Sequence, residues 1–226
     1  MAERLSTGRK IIKLFHPEGI PGPGALFYNA LSKTKSFQKF YEMVAKDIID
    51  HCDRGSILDI GTGPGWLLLK LNALSSDLQI TGSDISPTMV DRARQNLAAA
   101  GLQDRIAVVQ NEGNHLPFAD NTFEIVVSTG SIHHWKKPEV MLNDCYRVLK
   151  QGGCALMYDI VSDPPTEARK EISREFGSLN ALLLGIHALE EPFYTLSGFE
   201  SLAGATLFGK GSTHFVGPMC CLELRK

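Results

Sequence analysis

Apolar and polar positions change rhythm twice along the 226-residue chain. Before residue 55 the clear pattern is helical. Phe37, Phe40, Tyr41, Val44 and Ile48 stand at offsets 0, 3, 4, 7 and 11, the spacing of one helix face. Upstream, the Pro/Gly cluster over residues 17–24 excludes helix and central strand. From Gly55 onward, short apolar runs alternate with amphipathic stretches. Strands are predicted at 56–60, 79–85, 106–111, 123–128 and 154–161. Helices are predicted at 66–74 and at 87–101, where Ser86 is the N-cap, Pro87 the first residue and Gly101 the stop. A third, at 138–149, is halted by Gly152-Gly153. Strands alternating with helices imply a parallel sheet covered on both faces.

After Pro164-Pro165 the helical rhythm returns, with Ile172, Phe176, Leu179, Leu183 and Ile186 on one face and Gly177 and Gly185 interrupting it. A brief helix near 196–203 follows. Two strand-like segments, 205–209 and 216–225, close the chain, and the connection between them is too short for a helical crossover, so they should pair antiparallel. The expected organisation is a helical N-terminal extension, residues 1–54, acting as a lid, and a core over 55–226 with a helical insertion at about 162–195.

Charge sharpens this division. The net charge is −2, but residues 1–54 hold nine Lys/Arg against six Asp/Glu, so a basic extension joins an acidic core. A near-neutral chain lacks the basic excess of a general nucleic-acid binder. The five cysteines show no paired spacing, the residues 1–10 have no apolar run behind them, and no apolar stretch approaches membrane-spanning length. These features predict a cytoplasmic protein with free thiols. Its oligomeric state is not legible. His16, His51, His187 and His214 show no metal-site spacing, so no metal is expected.

The chemistry-bearing segment is Ile57-Leu-Asp-Ile-Gly-Thr-Gly-Pro-Gly-Trp66. It reads as a buried strand running into a glycine turn that opens a helix, where backbone N–H groups can approach a ligand closely. Ligands of open α/β sheets sit at the carboxyl ends of the strands. Asp84, at the end of the second predicted strand and 21 residues after Gly63, can accept from both hydroxyls of a ribose. A dinucleotide fingerprint would place a third small residue where Trp66 stands.

Residues 56–65 resemble motif I of the class I S-adenosylmethionine (SAM) methyltransferases, closest to the small-molecule type 11 enzymes of ubiquinone and menaquinone biosynthesis. Ser83-Asp-Ile-Ser86, the 114–127 stretch around Leu116-Pro117-Phe118, Ile132-His-His-Trp135 and Leu149-Lys-Gln-Gly-Gly153 resemble further motifs of that family, with Gln151 in place of its usual proline. The resemblance implies a Rossmann-like, seven-stranded, mostly parallel sheet with an antiparallel final strand, helices on both faces and a helical N-terminal cover. It also implies SAM as cofactor and S-adenosylhomocysteine as product. Gly61 and Gly63 would pass beneath the methionine part of SAM, with Thr62 and Gly65 in the same turn and Met89 a further contact. Asp84 would hold the ribose and Ile85 the adenine face. Glu112, where the family has Asp, would accept from the adenine amine, with the Gly113 N–H reaching the ring. Ser128 would face the methionine amine through its carbonyl, and Tyr28 is the candidate aromatic lid residue over the sulfonium.

Methyl transfer from a sulfonium needs chiefly positioning, and a base only when the acceptor must lose a proton. His133 and His134, just after the fourth predicted strand, are the candidate bases, and Asp159 is a further carboxylate near the cleft. Ser128-Thr-Gly-Ser131 stands where base-amino methyltransferases of this fold carry Asn/Asp-Pro-Pro-aromatic, so a small-molecule acceptor is expected. A non-catalytic SAM-binding module and an NAD-dependent oxidoreductase are the alternatives.

Overall fold

The computed structural model describes residues 32, 34–111, 115–176 and 193–226. One seven-stranded sheet organises them, in the order β3-β2-β1-β4-β5-β7-β6. The elements run α1 (Lys35–His51), β1 (Gly55–Ile60), α2 (Trp66–Leu74), β2 (Leu78–Asp84), α3 (Pro87–Ala99), β3 (Ala107–Gln110) and β4 (Phe123–Thr129). A single 3-10 turn (Ile132–His134), α4 (Pro138–Val148), β5 (Leu149–Asp159), α5 (Thr166–Phe176) and α6 (Leu196–Glu200) follow. After a second 3-10 turn (Ala203–Ala205), β6 (Gly211–Val216) and β7 (Met219–Arg225) form the closing hairpin. The five strands β1 to β5 pair in parallel, and β7 runs antiparallel to both β5 and β6. This is the expected fold class. The order reverses at β1, between β2 and β4, and open sheets of this kind place ligands at that switch point.

Alternation along the strands sends side chains to two apolar clusters, one per face. Leu58, Ile60 and Val126 join α4, α6 and the hairpin on one face. Ile57, Ile80, Ile125 and Val127 join α1, α2 and α3 on the other. Helix α1 contributes Tyr41, Val44, Ala45 and Ile48 to this second cluster, so the helix packs into the sheet's own core. The expected domain boundary falls in the short turn between α1 and β1.

Two expectations are corrected. The apolar run 205–209 is not a strand. It is a tight turn in which Leu207 is exposed while Phe208 packs edge-on against Tyr146, and the Leu207 N–H donates to Asn143 Oδ1 at 2.7 Å. The actual strand, β6, is the polar segment beginning at Gly211, which an edge position tolerates because one face and one side meet water. Strand β5 begins at Leu149, five residues early, because Gly152-Gly153 lies within a bulge: Phe123 pairs with Leu149, but Ile125 already pairs with Cys154. A Cβ at Gly153 would stand 2.6 Å from the Glu124 carbonyl oxygen, which accounts for the glycine there.

At the amino ends of the central strands, Glu124 accepts from the Ser56 N–H at 2.6 Å, from the Ser56 hydroxyl, and from Lys150 Nζ at 2.5 Å. Partial burial alone would raise its pKa, but these donors outweigh that and hold it at about 2. A carboxylate with a depressed folded pKa contributes stability above its unfolded value, near 4.3, and loses it as pH falls toward 2. Glu124→Gln is therefore expected to flatten the fall in thermal midpoint between pH 4.5 and 2. Melts across that window check it, and an equally steep fall in the variant would remove the assignment.

Candidate active site

The first glycine turn, 61–65, connects β1 to α2 at the switch point. It folds back by using its own N–H groups. Gly61 N and Thr62 N both donate to Ser83 O (2.8 and 2.9 Å), Gly63 N donates to Asp84 Oδ2 (2.8 Å), and Gly65 N donates to Thr62 O (3.0 Å). Pro64 has no N–H to offer. Within the turn the N–H groups of Gly61, Thr62, Gly63 and Gly65 are thus taken internally, and what these residues offer a ligand is close backbone approach. A Cβ on Gly61 would collide with the Ser131 side chain. Gly65, at φ +80°, begins α2 and would bring a Cβ to 3.2 Å from that of Ala93. The close helix packing thus falls at Gly65, and Trp66 turns its Nε1 to Ser32 Oγ at 2.8 Å.

Asp84 ends β2 and is buried. Its Oδ2 accepts from Gly63 N, and its Oδ1 accepts from Ser86 N at 2.9 Å, so it ties the glycine turn to the start of α3. Burial raises its pKa, opposed by the backbone donors Ser86, Gly63 and Ile85. Each carboxylate oxygen retains a second lone pair for a further donor. Ile85 beside it is half-buried. Met89 is buried on the first turn of α3 but belongs to neither apolar cluster. Ser128 is buried, and its hydroxyl donates to Ile60 O at 2.9 Å, fastening β4 to β1 beside the turn. Past β3, Gln110, Asn111, His115 and Pro117 line an open cleft of about 450 Å³. Tyr28, Glu112 and Gly113 lie outside the described residues, as do His16 and His187.

The local pattern did not single out one group of atoms. Among the described residues, four buried side-chain oxygens lack a hydrogen-bond partner: Asp59 Oδ1, Ser83 Oγ, Asn111 Oδ1 and Thr129 Oγ1. They stand at the carboxyl ends of β1, β2, β3 and β4. Buried polar groups without partners are rare and costly, and here they gather along the one edge where the fold binds ligands. Asp59 also accepts from Thr62 Oγ1 at 2.7 Å, and burial, with the Asp84 charge adding to it, pushes its pKa up to about 7. A ligand rich in donors fits this edge. Asp84, Asp59 and Asn111 present oxygens there that can accept from hydroxyl, amine or ammonium groups.

Across the edge, the sequence candidates His133, His134 and Asp159 come together. The Asp159 carboxylate, buried at the end of β5, accepts from His133 N (3.0 Å), from Ile160 N (2.8 Å) and from His133 Nδ1 (2.8 and 3.0 Å to its two oxygens). A carboxylate only accepts, so Nδ1 carries the proton and Nε2 of the neutral ring is the acceptor. The His134 ring packs tilted against His133 with centroids 4.0 Å apart, and Phe193 packs against His133 at 4.4 Å. Phe193 belongs to the far end of the insertion, whose two ends are fastened by Ser162 N donating to Tyr194 O at 2.9 Å. Asp159 is therefore no solvated strand end. Its pairing with a residue 26 positions away left no periodic trace in the sequence. His115 is largely exposed, 3.4 Å from Asp144.

The fold is the class I, Rossmann-like architecture of SAM-dependent methyltransferases, and relatives share it. A profile of the methyltransferase domain family matches residues 58–157. The ubiquinone/menaquinone biosynthesis C-methyltransferase UbiE of Geotalea daltonii is 33% identical over 129 residues, covering 56% of this chain and 55% of that protein. The rice 2-methyl-6-phytyl-1,4-hydroquinone methyltransferase 1 is 33% identical over 101 residues, covering 45% of this chain and 29% of that protein. The crystal structure of a putative SAM-dependent methyltransferase from Methanococcus maripaludis is 25% identical, with a TM-score of 0.70 and coverage of 90% and 92%. Residues 58–157 thus match the methyltransferase domain family, and the fold as a whole is shared with the Methanococcus structure. The chain spans about half or less of the length of these curated relatives. Among the described residues, no helix is long and apolar enough to cross a membrane.

Proposed function

We propose that this protein transfers the methyl group of SAM to a small-molecule acceptor, in a cleft at the carboxyl edge of the sheet between the glycine turn and His133. The observation that carries the reading is the row of unpartnered oxygens along that edge. Bound SAM supplies an electrophilic methyl whose sulfonium becomes a neutral thioether. Gly61, Thr62, Gly63 and Gly65 bring backbone against the methionine part, and Asp84 accepts from the ribose. Ile85 and Met89 bound the adenine, Glu112 and Gly113 read its edge, Ser128 faces the methionine amine, and Tyr28 covers the sulfonium. His133, held by Asp159, takes the acceptor's proton at Nε2, and His134 packs against it. In-line placement of acceptor and methyl supplies most of the acceleration.

Charge supports the small-molecule class: a chain of net −2 lacks the basic excess of a general nucleic-acid binder. The five cysteines are all free thiols, in keeping with a reducing cytoplasmic setting. Calorimetry with SAM, S-adenosylhomocysteine and NAD tests the cofactor. Binding of the first two alone is expected, and binding of NAD alone would overturn the reading. A metabolite screen with isotopically labelled SAM then identifies the acceptor, and tight SAM binding with no transfer across a broad panel would favour a non-catalytic binding module.

Asp84→Ala is expected to weaken SAM at least ~10-fold, about 1.4 kcal/mol, because it removes a charged acceptor and releases the Gly63 and Ser86 N–H groups together. Asp84→Asn keeps one acceptor oxygen and should fall between the two. Titration of the three proteins checks the order, and an unchanged affinity in Asp84→Ala would remove the ribose assignment.

A further inference from the structure

The other half of the sheet carries a second convergence of chemistry. Tyr158 on β5, Cys221 on β7 and His214 on β6 stand directly opposite one another in register, so their side chains form one row across three strands. Helix α1 lies over this row and lowers Asp47 onto it. Tyr158 Oη donates to Asp47 Oδ2 at 2.6 Å, and His214 Nε2 lies 3.1 Å from both carboxylate oxygens. A nitrogen of His214, an oxygen of Asp47 and the sulfur of Cys221 all lie within 4.8 Å of one another. Among the described residues no other set of three His, Cys, Asp or Glu side chains converges in this way. We propose that Asp47, His214 and Cys221 bind a borderline divalent metal ion, with zinc the best match, at the seam between α1 and the β6–β7 hairpin.

The donor set selects the metal. One thiolate, one imidazole and one carboxylate suit zinc, whereas calcium and magnesium take oxygen ligands throughout. Three protein ligands leave one tetrahedral position for water. The support expected around such a site is present. Tyr158, buried among apolar side chains, fixes the carboxylate from one oxygen and leaves Oδ1 to the ion. The His51 ring stacks over His214, with centroids 6.1 Å apart, and His51 Nε2 reaches Glu223 Oε2 at 3.5 Å. Ligands and outer partners together make up a metal site. Access is open on one side: the side chains of His214 and Asp47 are 35% and 20% exposed, while Cys221 is fully buried.

Coordination exchanges the Cys221 S–H proton for the ion, and that proton leaves to solvent. The bound ion cross-links residue 47 to residues 214 and 221, stapling α1 to the C-terminal hairpin. Without it, apolar packing and the hydrogen bonds of Asp47 hold that seam. Sequence spacing gives no sign of this, because the ligands lie far apart along the chain and meet only through the sheet register.

The test uses the full chain freed of metal with a chelator, titrated with Zn²⁺ and, for spectroscopy, Co²⁺. The expected result is one ion per chain, a thiolate-to-cobalt charge-transfer band displaced by Zn²⁺, and a higher thermal midpoint with the ion. His214→Ala, on the half-exposed edge strand, and Cys221→Ser should each abolish all three signals. Tyr158→Phe should weaken binding by about 10-fold, as loss of an outer partner does, and Cys52→Ser should change nothing. If Cys221→Ser fails to fold by circular dichroism, His214→Ala decides. No binding by folded wild-type protein at micromolar metal, binding that survives His214→Ala, or a charge-transfer band lost in Cys52→Ser would each overturn the site. No readout depends on methyl transfer, so the site stands or falls separately from the proposed activity.

Discussion

Replacing Asp59 by asparagine is expected to stabilise the SAM-free protein above pH 7 by on the order of 2–4 kcal/mol, and at the same time to weaken SAM. Asp59 sits one residue from the end of β1 and is 1% exposed. Burial is the main force raising its pKa. The hydrogen bond from Thr62 lowers it, the Asp84 charge raises it further, and the result is about 7. A raised folded pKa means that the native state binds the proton more tightly than the unfolded chain. The resulting penalty is absent below about pH 4, where both states are protonated. It grows as pH rises and is complete above about 7. Asparagine fills the same space, keeps an acceptor for Thr62 and never ionises. Urea unfolding of the wild type should therefore lose free energy between pH 4 and 8 on a slope that Asp59→Asn lacks. Parallel curves for the two proteins would show that Asp59 titrates as an ordinary carboxyl. A carboxylate held at a cost to the fold, with one oxygen unpartnered, is open to a donor from a ligand.

The strand, glycine turn, helix and acidic strand end are legible in the sequence because each is local. A short buried run marks β1, apolar alternation marks the start of β2, Ser86-Pro87 opens α3 and Gly101 closes it. Local pattern fails where a distant partner decides. The run at 205–209 has strand composition, yet Asn143 of α4 captures its backbone and Tyr146 takes Phe208, so the chain turns. The polar β6 pairs because β7 lies beside it. The same limit applies to chemistry. His133 is visible as a candidate base, but Asp159 acquires its meaning only when β4 and β5 lie side by side. Asp47, His214 and Cys221 belong to three elements that nothing in their neighbours links. Even in the turn, the sequence marks the glycines but not the hydrogen bonds that hold them in place.

The largest effect on turnover is expected at His133 and Asp159. With the acceptor found by labelled-SAM screening, and where that acceptor must lose a proton, His133→Ala should lower kcat by about 10²–10⁴-fold, the usual contribution of a positioned base. SAM affinity should stay within a factor of two or three, since neither residue belongs to the glycine turn or to the β2 end. Asp159→Asn separates positioning from chemistry. The carboxylate now accepts three N–H groups, two from backbone and one from the ring. An amide offers its own N–H₂ to one of these positions, and the ring then loses its reason to keep the proton on Nδ1. The tautomer with Nε2 protonated cannot accept from the acceptor, so kcat should fall toward the His133→Ala value while KM for the acceptor moves little. The buried amide leaves a backbone donor less well met, so Asp159→Asn should also lower the thermal midpoint, and Asp159→Glu should recover part of the rate. A structural role alone predicts another pattern: lower thermal midpoints in both variants with kcat intact in the folded fraction. A base predicts loss of kcat in protein that remains folded and still binds SAM.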